Sequence, residues 1–181
     1  MNRGIFFVAL LLALQTTNGQ AQTVTAVTDF DLNQYVGKWY EIARFPNKFQ
    51  KQCVADVMAT YVKRTDGDVD VINRCKNAAG AIEEAVGQGR VPDPGTKAKL
   101  KVRFAPRWLS WLPTVWADYW VVDIAPDYSY AAVGDPTKKY LWILARKKEI
   151  ADPVYQALMK RLANQGFDTS QLVLTPQDGL K

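Results

Sequence analysis

Cys53 and Cys75 are the first side chains to weigh for chemistry, because a thiolate is a strong nucleophile when its surroundings lower its pKa. Two readings compete. In an oxidising compartment the pair forms a disulfide; in a reducing pocket one of them is a catalytic thiolate. The two flank a hairpin signal at Asp66-Gly67, which brings them onto adjacent strands. A two-residue turn at 66–67 would set position 80 opposite Cys53, so a bulge or a strand end has to absorb the offset. Other chemistry is short of parts. The chain contains no His, which removes imidazole bases, His-based triads and most zinc or haem ligation. It also has no Walker-type loop, no Gly-x-Ser-x-Gly and no paired metal-ligand motif. Neither a metal nor a cofactor is expected.

The N-terminus reads as an export signal: Arg3, then an apolar run from Ile5 to Leu14, then Gly19-Gln20-Ala21 as a small-residue cleavage site. That run is too short for a bilayer span, which needs about 20 residues. Residues 1–21 are therefore assigned as leader and 22–181 as one domain. No Cys stands near the cleavage point, so a thioether-lipid anchor is not expected. The periplasm or secretion follows, with any outer-membrane association made without an anchor. Export favours pairing of Cys53 with Cys75, a link that contributes roughly 3 kcal/mol by loop closure. The net charge of +5 is mild and spread along the chain; it suits an anionic membrane surface and is too diffuse for nucleic acid.

The elements that must position these groups are mostly strands. Trp39 to Phe45 ends at Pro46, and 53–63 alternates with Val57, Ala59 and Tyr61 on one face. After Asp66-Gly67, residues 68–75 set Val69, Val71 and Asn73 on one side. A weaker strand, 81–90, carries Gly87 and Gly89, and Pro92-Asp93-Pro94-Gly95 makes a turn. Leu100, Val102 and Phe104 then alternate with Lys99, Lys101 and Arg103. Strands are predicted at 117–124, 129–134 and 140–146; the first and last are apolar on both faces and need an outer cover. A helix supplies one: Asp152 is read as its cap, Pro153 as its first turn, Val154, Leu158 and Leu162 as its stripe, and Gly166 as its end. A short strand over Leu172–Leu174 completes an all-β chain, a closed antiparallel barrel with one helix on its wall.

Three features then converge. Gly37-x-Trp39 enters the first strand, Asp127-Tyr128 fills the turn between the strands 117–124 and 129–134, and Arg146 ends the strand 140–146. In that order these residues resemble the motifs of the lipocalins, over essentially all of 29–175. The likeness is strongest to bacterial outer-membrane-type lipocalins and their apolipoprotein D-like and plant temperature-induced relatives. It implies an eight-stranded up-and-down barrel whose closed end is sealed by Arg146 packed across Trp39, with these five positions structural.

The resemblance further implies a non-enzymatic carrier or store for a hydrophobic ligand, a fatty acid or lysophospholipid, serving cell-envelope lipid maintenance. The inward candidates to line the cavity are Val57, Ala59, Tyr61, Val71, Asn73, Leu100, Val102, Phe104, Tyr119, Trp120 and Trp142, with the Tyr hydroxyls and Asn73 as polar handles. Two alternatives stay open: a lipid isomerase using a cavity Cys, and a surface-interaction protein whose barrel is filled. The loop Arg107-Trp108-Leu109-Ser110-Trp111-Leu112-Pro113 is read either as a lid or as a peripheral membrane contact. A monomer or weak homodimer is expected.

Overall fold

The computed structural model describes residues 22–177. The predicted leader therefore lies outside the described residues. A single turn of helix, α1 (Leu32–Tyr35), precedes strands β1 (Gly37–Arg44), β2 (Cys53–Lys63), β3 (Val69–Asn77), β4 (Ile82–Arg90), β5 (Lys99–Arg103), β6 (Ala117–Ile124), β7 (Tyr130–Gly134) and β8 (Leu141–Ala145). Helix α2 (Asp152–Asn164) and a two-residue strand β9 (Val173–Leu174) follow. Each of β1 to β8 pairs antiparallel with its neighbours in sequence, and β1 pairs with both β8 and β2. The sheet thus closes on itself as an eight-stranded barrel with no free seam. Strand β9 adds to β1 through Ala43 and Arg44.

Period-2 alternation sorts the apolar residues into two layers. Ala59, Tyr61, Val71, Leu100, Val121, Val133 and Leu144 pack inside the barrel with Trp39 and Tyr35. Val122, Ala132, Leu141, Ile143 and Ala145 point out and are covered by Leu158 and Leu162 of α2, both fully buried. This is the outer cover that strands apolar on both faces require. Two details of the helix differ from expectation. Its N-cap is Ala151, without a side-chain cap bond, and Asp152 lies inside the first turn. Val154, at the start of the stripe, is 39% exposed because the helix meets the wall only further along.

The hairpin at Asp66-Gly67 forms, with Gly67 at φ 90°. The connection is longer than two residues: Lys63 pairs with Val69, and Arg64 N–H donates to the Asp68 carbonyl at 2.8 Å. Two register shifts in β2, between Cys53 and Ala55 and between Ala55 and Met58, bring Cys53 opposite Asn77. They absorb the offset, and Cys53 and Cys75 are joined with their Cα atoms 5.4 Å apart.

Candidate ligand-binding site

The floor of the barrel is built first, from α1 and the start of β1. Gly37 adopts φ 99°, and a Cβ there would stand 3.3 Å from Arg146 Nη1, so both the backbone and the close approach favour glycine. The turn it permits sets Trp39 into the core with no exposed surface. The Trp39 indole N–H donates to the Tyr35 carbonyl at 2.7 Å. Arg146 lies across the other side, its guanidinium carbon 3.8 Å from the ring centre. It also donates to the carbonyls of Lys38 (2.8 Å), Gln34 (2.6 Å), Tyr35 (3.2 Å) and Val36 (3.1 Å). One side chain therefore seals the indole and satisfies the carbonyls at the C-terminal end of α1.

The Asp127-Tyr128 turn ties down what precedes α1. Asp127 accepts from Ser129 N–H at 3.0 Å, and Tyr128 takes the left-handed conformation at φ 57°. The Tyr128 hydroxyl then accepts from Asp31 N–H at 2.7 Å, while its ring packs beside Phe30.

Above the floor, three phenols meet. The Tyr119 hydroxyl lies 2.7 Å from that of Tyr35 and 2.6 Å from that of Tyr61. Burial is the main cause that pushes all three phenols up, Tyr61 to about 12. Three O–H donors and two mutual bonds leave one donor over for a ligand or water.

The wall rises from there. Ala59, Tyr61, Val71 and Leu100 are buried facing inward, and Asn73, paired with Ala59 across β2 and β3, is half-buried on the same face, while Val57 is buried in a separate cluster with Cys53 and Cys75. Val102, Tyr119 and Trp142 are half-buried, and Phe104 is 46% exposed toward the open end. Phe104 lies there because of Gly87: a Cβ at that position would stand 2.7 Å from the Phe104 ring. Trp120 is different. It sits on the outer layer with Val122, under Lys99, whose amino group is 4.5 Å from the indole centre. Its neighbour Tyr119 points inward, so by alternation Trp120 points out.

Near the open end the interior is charged, which sequence reasoning missed. Glu41, 2% exposed, accepts from Arg44 Nη1 at 2.5 Å, Thr175 Oγ1 at 2.6 Å and Gln50 Nε2 at 2.7 Å. Arg44 also donates to the Cys53 carbonyl at 3.1 Å, and the Trp142 indole donates to Gln50 Oε1 at 2.8 Å. In a regular strand, positions 41 and 44 face opposite ways. A bulge between Glu41 and Ala43 inserts one residue, so Glu41 and Arg44 both turn inward while Ile42 and Ala43 both pack outside. The C-terminal segment completes the arrangement. Thr175 N–H donates to the Ile42 carbonyl at 2.9 Å, and the Gln177 amide bridges the Glu41 and Val57 carbonyls at 2.8 and 3.0 Å.

The loop between β5 and β6 stands beside the mouth. Trp108 and Trp111 are 72% and 75% exposed, while Leu109 and Leu112 are half-buried. The side chain of Arg107 is outside the described atoms.

A closed eight-stranded barrel, sealed at one end and lined mostly by apolar side chains, has the form that holds one small hydrophobic ligand. Comparison with known proteins fits this geometry. A family profile described as a lipocalin-like domain matches residues 30–177. The chain is 38% identical over 162 residues to temperature-induced lipocalin-1 of Arabidopsis thaliana, covering 87% of this chain and 85% of that one. This chain belongs to the lipocalins. It is also 36% identical over 157 residues to the outer membrane lipoprotein Blc of Escherichia coli, covering 86% of this lipocalin and 84% of Blc. Among solved structures, the cockroach allergen Per a 4 superposes with a TM-score of 0.64 at 19% identity, over 85% of this lipocalin and 92% of the allergen. Gly37, Trp39, Asp127, Tyr128 and Arg146 stand together at the closed end of its barrel.

Proposed function

We propose that this lipocalin binds one single-chain lipid, a fatty acid or a lysophospholipid, inside the barrel and carries or stores it for upkeep of the cell envelope. The observation that carries the reading is the set of inward apolar side chains Ala59, Tyr61, Val71, Leu100 and Trp142, packed above a floor sealed by Trp39 and Arg146 in a closed barrel. A chain of about 14 methylenes buried there would gain roughly 11 kcal/mol gross. Ordering and association subtract from that, leaving room for micromolar affinity or better. The polar head stays at the mouth, where the Arg44–Glu41–Gln50 group offers charged and amide partners. Likeness to proteins named outer membrane lipoprotein supports an exported, envelope-facing role. Among the described residues no helix is long and apolar enough to cross a membrane.

The exposed indoles favour the membrane reading of the β5–β6 loop over the lid. A lid would turn Trp108 and Trp111 onto the cavity, whereas both lie in solvent. The isomerase alternative lacks its nucleophile while Cys53 and Cys75 are joined. Delipidated protein titrated with a long-chain fatty acid tests the proposal: saturable quenching of tryptophan fluorescence at one ligand per chain supports it. An Ala59→Trp variant, which fills the shaft, should lose that response. Equal response in both proteins overturns it.

A further inference from the structure

On the outer wall, away from the barrel interior, Asp68, Gln88, Arg90, Arg103, Ser110 and Trp116 enclose a depression of about 230 Å³. That is several times the roughly 30 Å³ of a water molecule. Arg103 is its unusual member. It is 4% exposed, yet among the described residues it forms no salt bridge. Its Nη1 donates to the Ala105 carbonyl at 2.7 Å and its Nη2 to Gln88 Oε1 at 2.6 Å, while Nε is buried with no partner. A second guanidinium, Arg90, lies over Trp116 at 4.0 Å from the ring centre, and Arg103 lies at 5.2 Å from the same ring. The Trp116 indole is itself fixed, donating to the Ser110 carbonyl at 2.8 Å. The carboxylate in the lining, Asp68, accepts from Gln88 Nε2 at 2.5 Å and so reaches Arg103 only through that amide.

A buried guanidinium without a counter-charge is expensive, and Arg90 brings a second positive charge to the same depression. An oxyanion seated in the depression would supply the counter-charge that Arg103 lacks. It would accept from the Arg103 guanidinium, whose Nε–H has no hydrogen-bond partner, and Arg90 would close on it from the rim. We infer that this depression is a second binding site, separate from the barrel, for a phosphate group. The Gln88 and Ala105 bonds orient the Arg103 fork, and Trp116 shields it from water. Trp116 also roots the loop that carries the exposed Trp108 and Trp111. The site would therefore hold phosphate from solution or from a lipid headgroup under that loop.

The Arg103 Nε–H resonance in a ¹H–¹⁵N spectrum of the mature protein reads the site directly. Inorganic phosphate should shift it saturably, and sodium chloride at matched ionic strength should not. Arg90→Gln should weaken phosphate binding roughly tenfold or more. Arg103→Lys keeps the charge and loses the fork, and should weaken binding similarly. If phosphate also displaces the protein from phosphatidylcholine vesicles containing phosphatidylglycerol, the natural source is the headgroup. If it binds without displacing it, the source is free phosphate. No saturable shift, or the same shift in Arg90→Gln, overturns the inference. The site lies outside the barrel, so its failure would leave the lipid proposal intact.

Discussion

Arg146 holds Trp39 from one side, 3.8 Å above the ring centre, while the Tyr35 carbonyl that accepts from the indole also accepts from Arg146. The two motifs, more than a hundred residues apart, are thus one structural unit sharing a carbonyl. Replacing Arg146 by Ala removes the cation–π contact and uncaps the end of α1, at a cost of about 2–4 kcal/mol. Arg146→Lys should recover part of this, because it restores the charge without the fork. Denaturant midpoints of the three proteins check the order.

The three buried phenols predict alkaline instability. Each holds its proton more tightly in the folded chain than the ordinary value near 10, Tyr61 to about 12. Between those values the unfolded chain releases protons that the folded chain retains, so ionisation favours unfolding. Their contribution is complete below about pH 10 and fades as pH rises toward 12, by about 3 kcal/mol for Tyr61. Thermal midpoints should fall steeply from pH 9.5 to 11.5. Tyrosinate absorbance should show these three of the eight tyrosines appearing only with unfolding. Free titration of all eight in the folded protein contradicts the cluster.

The Glu41–Arg44 pair makes a different prediction. Arg44→Met strands a carboxylate that is only 2% exposed and should lower stability by about 3–5 kcal/mol. Adding Glu41→Gln to that variant should restore part of the loss, since a neutral amide can keep Gln50 and Thr175 as partners. Chemical denaturation of the single and double variants measures the coupling.

Trp108→Ser with Trp111→Ser should leave folding within about 0.5 kcal/mol, because both side chains are in solvent. Binding to anionic vesicles should drop severalfold in a flotation assay. Unchanged vesicle binding removes the membrane role of the loop.

Most strands were readable because one face was wet. In β5 the lysines mark the outside and Leu100 and Val102 the inside, and the register agrees. Strand β6 has no such marker over Trp120 to Val122: one face meets the core and the other meets α2, so Tyr119 and Trp120 look alike in sequence. Glu41 and Arg44 were hidden for another reason. Their shared facing depends on a bulge, and their partner Thr175 arrives from the opposite end of the chain. A charged pair three apart in a strand, next to a two-sided apolar stretch, was the available signal. The contacts of Arg90 and Arg103 with Trp116 likewise join two strands and a loop that no local spacing connects.

Native mass spectrometry of the protein purified from its native source tests the central claim most directly. Gentle ionisation should show one adduct per chain with the mass of a fatty acid or lysophospholipid, and Ala59→Trp should appear without it. A wild-type chain that flies bare, and stays bare after incubation with those lipids, would contradict a lipid-holding barrel.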